Sequence, residues 1–152
     1  MIREFVVPGH PVPYLRMTQG QTKLLKIPLS RLRPSGVALR NRIEKYFEWK
    51  SWVWSHAMAA GAKAVLTGES GKVVNRRAKL DVRIYFGSLH HGDPDNIRKG
   101  IQDALFEKDK FISGCVDFDY DKKNPRCIVK IILQEKSMKG ETDGQKSESA
   151  SE

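Results

Sequence analysis

The run from Asp93 to Asp109, DPDNIRKGIQDALFEKD, constrains this chain more than any other stretch. Proline lacks an N–H and is pre-set for the first helical position, and an aspartate before it is a natural N-cap. The run therefore predicts a helix opening at Pro94 with Asp93 as its cap. Helical geometry sorts the next residues onto two faces. Ile97, Ile101, Ala104 and Leu105 form an apolar face that must be covered, and Asp95, Lys99 and Asp103 recur at i, i+4 and i+8 on the other. Crowded carboxylates repel one another unless a cation sits among them, a role open to a divalent metal or to Lys99. Asp95 and Lys99 alone would suit an ordinary exposed ion pair. The added Asp93 and Asn96 favour a metal-and-phosphate site.

Period-two alternation predicts strands on both sides of this helix. Ile2 to Val7 is a short strand ended by PGHPVP, whose prolines cannot donate to a ladder. Leu80, Val82, Ile84 and Phe86 alternate with Lys79, Asp81, Arg83 and Tyr85 in a second strand with one buried face, and GSLHHG loops from it to the helix. After a bend at Gly114, Val116, Phe118 and Tyr120 alternate with acidic residues, KKNP comes next, and Cys127 to Leu133 is a further branched run; the two runs are expected to form a hairpin. Ile43, Tyr46, Phe47, Lys50, Val53, Trp54 and Ala57 recur at helical spacing in a long helix ending near Gly61, with Trp49 and Trp52 off the centre of the stripe. Its aromatic residues are read as core rather than as base-stacking groups. The expected fold class is α/β (α+β): a small mixed β-sheet flanked by two main helices, in one domain over residues 1–134. Residues 135–152 have no aromatic residue and read as a disordered polar tail.

Charge narrows the partners. The chain carries a formal +9, and the tail holds three lysines against five acidic residues, so the body stands at +11. Such a surface favours a polyanion, nucleic acid above membrane phosphates. From Met17 to Pro34 the chain is basic and irregular; Arg16, Lys23, Lys26, Arg31 and Arg33 suit a phosphate-contacting arm, or a plain solvated loop, and Arg76 and Arg77 are counted with them as DNA-binding candidates. With no run of about eighteen apolar residues and no signal-like N-terminus, a cytoplasmic location away from the membrane is expected. Cys115 and Cys127, without CxxC spacing, are read as small core or strand residues. His90 and His91 are read as flexible surface histidines rather than metal ligands, and His10 and His56 stand in no HxxxH or HExxH spacing.

Two blocks, FVVPGHPVPYLRMT and DPDNIRKGIQDAL, make the chain similar to the RusA-type Holliday junction resolvases, small metal-dependent endonucleases of bacteria and their phages. The first resembles that family's opening strand, Gly-x-Pro-x-Pro loop and following arginine, here Arg16. The second resembles its Asp-x-Asp-Asn, lysine and Asp-Ala-Leu signature. The resemblance implies Asp93, Asp95 and Asp109 as catalytic, metal-binding carboxylates, Lys99 as the catalytic lysine, and Asn96 and Asp103 as supporting residues. Lys108 stands where an acid is usual, and Asp117 and Asp119 are contenders for the third carboxylate if the short FEKDK segment aligns differently. The implied cofactor is Mg2+, with Mn2+ a possible substitute, and the implied substrate is a four-way DNA junction. Paired nicks in such a two-fold substrate require two sites, hence a homodimer. The competing readings are a junction-binding or nucleic-acid-binding relic without catalysis, and a general Mg2+ nuclease.

Overall fold

The computed structural model describes residues 2–62, 77–106 and 112–134. In chain order these form β1 (Ile2–Pro8), a short helix α1 (Gln19–Thr22), two 3-10 turns (Lys23–Lys26 and Leu29–Arg31), α2 (Pro34–Ala59), β2 (Ala78–Phe86), α3 (Pro94–Leu105), β3 (Ile112–Ser113), β4 (Val116–Tyr120) and β5 (Arg126–Leu133). The strands build one mixed sheet in the order β1-β5-β2, with β3 and β4 both on the far side of β2. The domain is thus α+β, its described residues forming a five-stranded sheet with two long helices and one short one. None of the described helices is long and apolar enough to cross a membrane. The tail over 135–152, Asp109 and Arg76 lie outside the described residues.

Strand alternation decides where the core sits. Phe5 is in register with Val129, Val129 with Val82 and Val82 with Val116, while Val7, Cys127, Ile84 and Phe118 make the next row. All of these except Val116 and Phe118, on the edge strand, are buried. They join Trp49, Val53 and Ala57 of α2 and Ile97, Ile101 and Leu105 of α3 in one cluster, so both long helices cover the same sheet face. The other face carries Glu4, Val6, Ile128, Lys130, Asp81 and Arg83 and stays exposed or half-buried.

Three expectations need correction. The runs at 115–121 and 127–133 do not form a hairpin: β4 pairs with β2 in parallel and β5 pairs with β2 antiparallel, so β2 lies between them. Alternation told which side chains share a face but not which strand is the neighbour. The connection carries no two-residue hairpin turn; it passes over the end of β2, where the Asp121 N–H donates to the Phe86 carbonyl at 2.8 Å. Within α2 the buried stripe is Ile43, Tyr46, Trp49, Val53 and Ala57, so Trp49 is core, whereas Phe47 and Trp54 lie outside it and are exposed. The segment 17–34 is likewise not wholly irregular. Thr18 and Gln21 form a reciprocal capping box around α1, and Arg40 of α2 donates to the Ile27 carbonyl, tying the arm down.

Gly114 is a required bend. Its φ is +131°, and an added Cβ would lie 2.0 Å from the Leu80 carbonyl oxygen. The gap it makes lets the strand break into β3 and β4 while still following β2. Because β2 and β4 run parallel, α3 crosses back between them, and its N-terminus stands at the carboxyl ends of both strands, the edge at which open α/β sheets commonly bind ligands.

Candidate functional site

Pro94 opens α3 and Asp93 occupies the N-cap with extended backbone, as the sequence predicts. The Asp93 side chain makes no capping hydrogen bond; only its carbonyl is used, accepting from the Ile97 N–H at 3.0 Å. Asp93, Asp95, Asn96 and Lys99 are all exposed around this end of the helix. The ordinary Asp95–Lys99 ion pair that the spacing alone would suit is not formed among the described residues. Lys99 instead holds its ammonium over the ring of Tyr14, 4.6 Å from the centroid, a cation–π arrangement. Two carboxylates at the positive end of a helix dipole therefore stand without hydrogen-bonding or ionic partners among the described residues, beside a lysine that is positioned but unpaired with acid there.

The glycine-proline loop holds this end in place. A Cβ on Gly92 would fall 2.6 Å from Pro13, one on Gly87 2.9 Å from His10, and one on Gly100 3.3 Å from the Tyr14 nitrogen. Residues 10–14 thus run against the loop before α3 and against α3 itself, and the Tyr14 N–H donates to the Asn96 carbonyl at 3.0 Å. The two sequence blocks that carry the family resemblance are in contact. Arg16 comes two residues after Tyr14 and is exposed, as are Lys23, Lys26, Arg31 and Arg33 further along the arm. The stretch from Phe5 to Ile43 contains no acidic residue, so nothing within it neutralises these cations.

Asp103 behaves differently from its neighbours on the same helical face. Its carboxylate accepts from the Tyr46 hydroxyl at 2.6 Å and from Lys50 Nζ at 3.0 Å, both on α2. Burial of Tyr46, reinforced by Asp103 beside it, pushes the phenol far above its ordinary pKa and keeps it a donor. Asp103 is thus a bolt between the helices. Arg77, although exposed, immediately precedes β2 and lies a strand's length from the acidic end, about 30 Å at the usual rise. It does not share the site.

Among the described residues no three His, Cys, Asp or Glu side chains converge as a metal-holding group. Asp93 and Asp95 offer hard oxygen donors with no other partner among the described residues, which suits Mg2+, an ion that takes one or two protein carboxylates and fills its shell with water and phosphate. The contenders Asp117 and Asp119 are in register with Arg83 and Tyr85, on the sheet face away from α3. Each accepts from the N–H of the residue after it, at 2.8 Å.

Sequence reasoning missed two features. Tyr14, which seats Lys99, carries no spacing signal beyond its place after the proline loop. His91 is on the surface, as expected, but it is held in place: its ring stacks on Phe86 with centroids 3.6 Å apart, and Nε2 lies 3.0 Å from the Tyr120 hydroxyl. The alternation of Phe118 and Tyr120 hinted at a shared face with Phe86, but only the parallel register brings them to it. No protein-family model matches this chain, and a search of curated proteins finds no match for it.

Proposed function

We propose that the chain is a Mg2+-dependent endodeoxyribonuclease of the RusA type that resolves four-way DNA junctions by paired nicks, acting as a homodimer in the cytoplasm. The observation that carries this reading is the pair of carboxylates, Asp93 and Asp95, without partners among the described residues, at the helix end where Lys99 is seated on Tyr14. An ordinary stabilising cluster would spend those groups on capping and ion pairing, as Asp103 does with Tyr46 and Lys50. Bound at Asp93 and Asp95, Mg2+ would supply charge neutralisation on the phosphate and a polarised water. Lys99, on the next turn, places a positive charge for the phosphoryl oxygens or the leaving group, already oriented by the Tyr14 ring. The acid-free arm from Arg16 to Arg33 would track phosphates and supply affinity without reading sequence. Asp109 remains the candidate third carboxylate, since Asp117 and Asp119 face the other side of the sheet.

The test is cleavage of synthetic four-way junctions beside linear duplex, flap and single-stranded DNA, with Mg2+ or chelator. Paired nicks confined to the junction and abolished by chelator are the expected result, together with a Mg2+-dependent rise in thermal unfolding temperature. Equal cutting of every substrate would make the chain a general nuclease. Tight junction binding without cutting would favour the second reading, a junction-binding relic. One observation speaks for that reading: no third ligand joins the pair among the described residues.

A further inference from the structure

Beside the acidic end lies a cluster of rings that the proposed chemistry does not use. Phe118 and Tyr120 of β4 meet Phe86 at 5.9 and 6.2 Å, and His91 lies flat on Phe86 with planes 9° apart. His91 is pinned at both nitrogens, with Nδ1 2.8 Å from the Gly92 carbonyl and Nε2 at the Tyr120 hydroxyl. The carbonyl can only accept, so Nδ1 carries the proton. A cluster serving only as core would bury its rings. Here Phe86 is buried, yet Phe118 and Tyr120 remain 46% and 45% exposed, and Leu89 beside them is 79% exposed. The register explains why: Phe118 and Tyr120 stand on the core side of the sheet, but on an edge strand. A cavity of about 430 Å³ opens at the Phe86 and Tyr120 end of the cluster, lined also by Leu89, His90 and Lys122.

We infer that this aromatic shelf receives an unpaired nucleobase of the DNA strand whose phosphate would meet a metal ion at Asp93 and Asp95, an assignment that rests on the nuclease reading. Continuity with the candidate site is direct, because His91 and Asp93 belong to the same short loop. Exposed aromatic faces stack on any base, and Lys122 and Lys123, both exposed, offer charge for the flanking phosphates. A second copy of the chain suits the shelf less well, since its own body is equally basic and would set lysine against lysine. Unstacking a base costs least where it is already unpaired, so such a shelf selects branched or gapped DNA over perfect duplex.

The experiment uses the full chain in chelator, with labelled four-way junction, perfect duplex, and duplex carrying a short gap that contains 2-aminopurine. Wild type should bind gapped and junction DNA more tightly than duplex and quench the probe. The double variant Phe118→Leu, Tyr120→Leu keeps apolar bulk at exposed positions and removes both ring faces. Once circular dichroism shows it folded, it should lose roughly five- to a hundredfold in affinity for the gapped and junction DNA and lose the quench, while duplex affinity, set by phosphate contacts, barely moves. Tyr120→Phe retains the ring and should retain the preference. Equal losses on all three DNAs, or a quench that survives the double variant, would overturn the shelf. So would a change in oligomeric state with the gap preference intact, which would make this face a protein interface. Since no step requires cutting, a chain that never cleaves DNA can still pass this test, and the cleavage assay fails or succeeds on its own.

Discussion

Asp95 and Asp103 lie on one face of one helix, eight residues apart, and have opposite fates. Asp103 is saturated by a buried phenol and an ammonium from α2. Asp95 is exposed with no hydrogen bond or ion pair among the described residues, and the lysine a turn beyond it is turned onto an aromatic ring instead. Charge and helical spacing are therefore not enough to assign a role; the element packed alongside decides. Tyr46 and Lys50 of α2 fasten the C-terminal half of α3, while the proline loop braces the N-terminal half largely through backbone and ring contacts that leave its carboxylates alone. Anchoring one end of the helix is what allows the other to stay open.

The sharpest way to break this contrast is to neutralise each aspartate in turn. Asp95→Asn should lower Mg2+-dependent junction cleavage by on the order of 10²–10³-fold. Its unfolding free energy should stay within about 0.5 kcal/mol of wild type, because it removes a first-turn charge and no packed contact. Asp103→Ala should do the reverse, costing about 1–3 kcal/mol in urea unfolding by orphaning the buried Tyr46 hydroxyl. Its loss of cleavage should be much the smaller of the two. If both variants lose activity and stability alike, the two ends of α3 are not functionally distinct.

Much of this contrast was legible in the sequence, and the remainder was hidden for identifiable reasons. Pro94, the preceding aspartate and the spacing of Ile97, Ile101 and Leu105 gave the helix, its start and its buried face, because capping and amphipathicity act within a few residues. Asp103's partners were invisible: Tyr46 is 57 residues away, and nothing local marks a long-range hydrogen bond. Trp49 was misplaced because α2 is apolar around much of its circumference, with Phe47, Trp52 and Trp54 exposed, so periodicity alone could not centre the stripe. The β4–β5 pairing failed for a related reason, since a period of two reports the face and is silent on the neighbour.

A smaller effect probes the brace at the open end. Gly92→Ala would drive a methyl to 2.6 Å from the Pro13 ring, forcing the loop before α3 away from the proline segment. The expected cost is about 1–2 kcal/mol in stability, with a further loss of cleavage as Asp93 shifts. Gly20→Ala is the matched control: its Cβ would meet nothing closer than the Thr18 hydroxyl at 4.0 Å, so it should be nearly neutral on both measurements. A silent Gly92→Ala would mean that the proline loop covers the site without bracing it.

The smallest effect concerns a carboxylate that, like Asp103, is fully engaged. Asp121 accepts from Arg126 Nη1 at 2.8 Å and from the N–H groups of Lys123 and Asn124, organising the loop that carries the chain over the end of β2. The Arg126 guanidinium holds its carboxyl below the usual carboxylate range. A carboxyl whose pKa is lowered by folding contributes stability above its unfolded pKa and loses it as pH falls through the folded value. Asp121→Asn keeps an oxygen for the backbone N–H groups and removes the charge facing Arg126. The stability gap between wild type and variant should accordingly be constant from neutral pH down to about pH 4 and close below it. Asp81, where burial raises the pKa but hydrogen bonds from Cys115 and Lys79 outweigh it and lower the value, titrates in both proteins and cancels from the difference. Urea midpoints measured across that range decide the matter. A gap that persists at the acid end would assign the loop's stability to hydrogen-bond geometry, leaving the ion pair with Arg126 no measurable part in it.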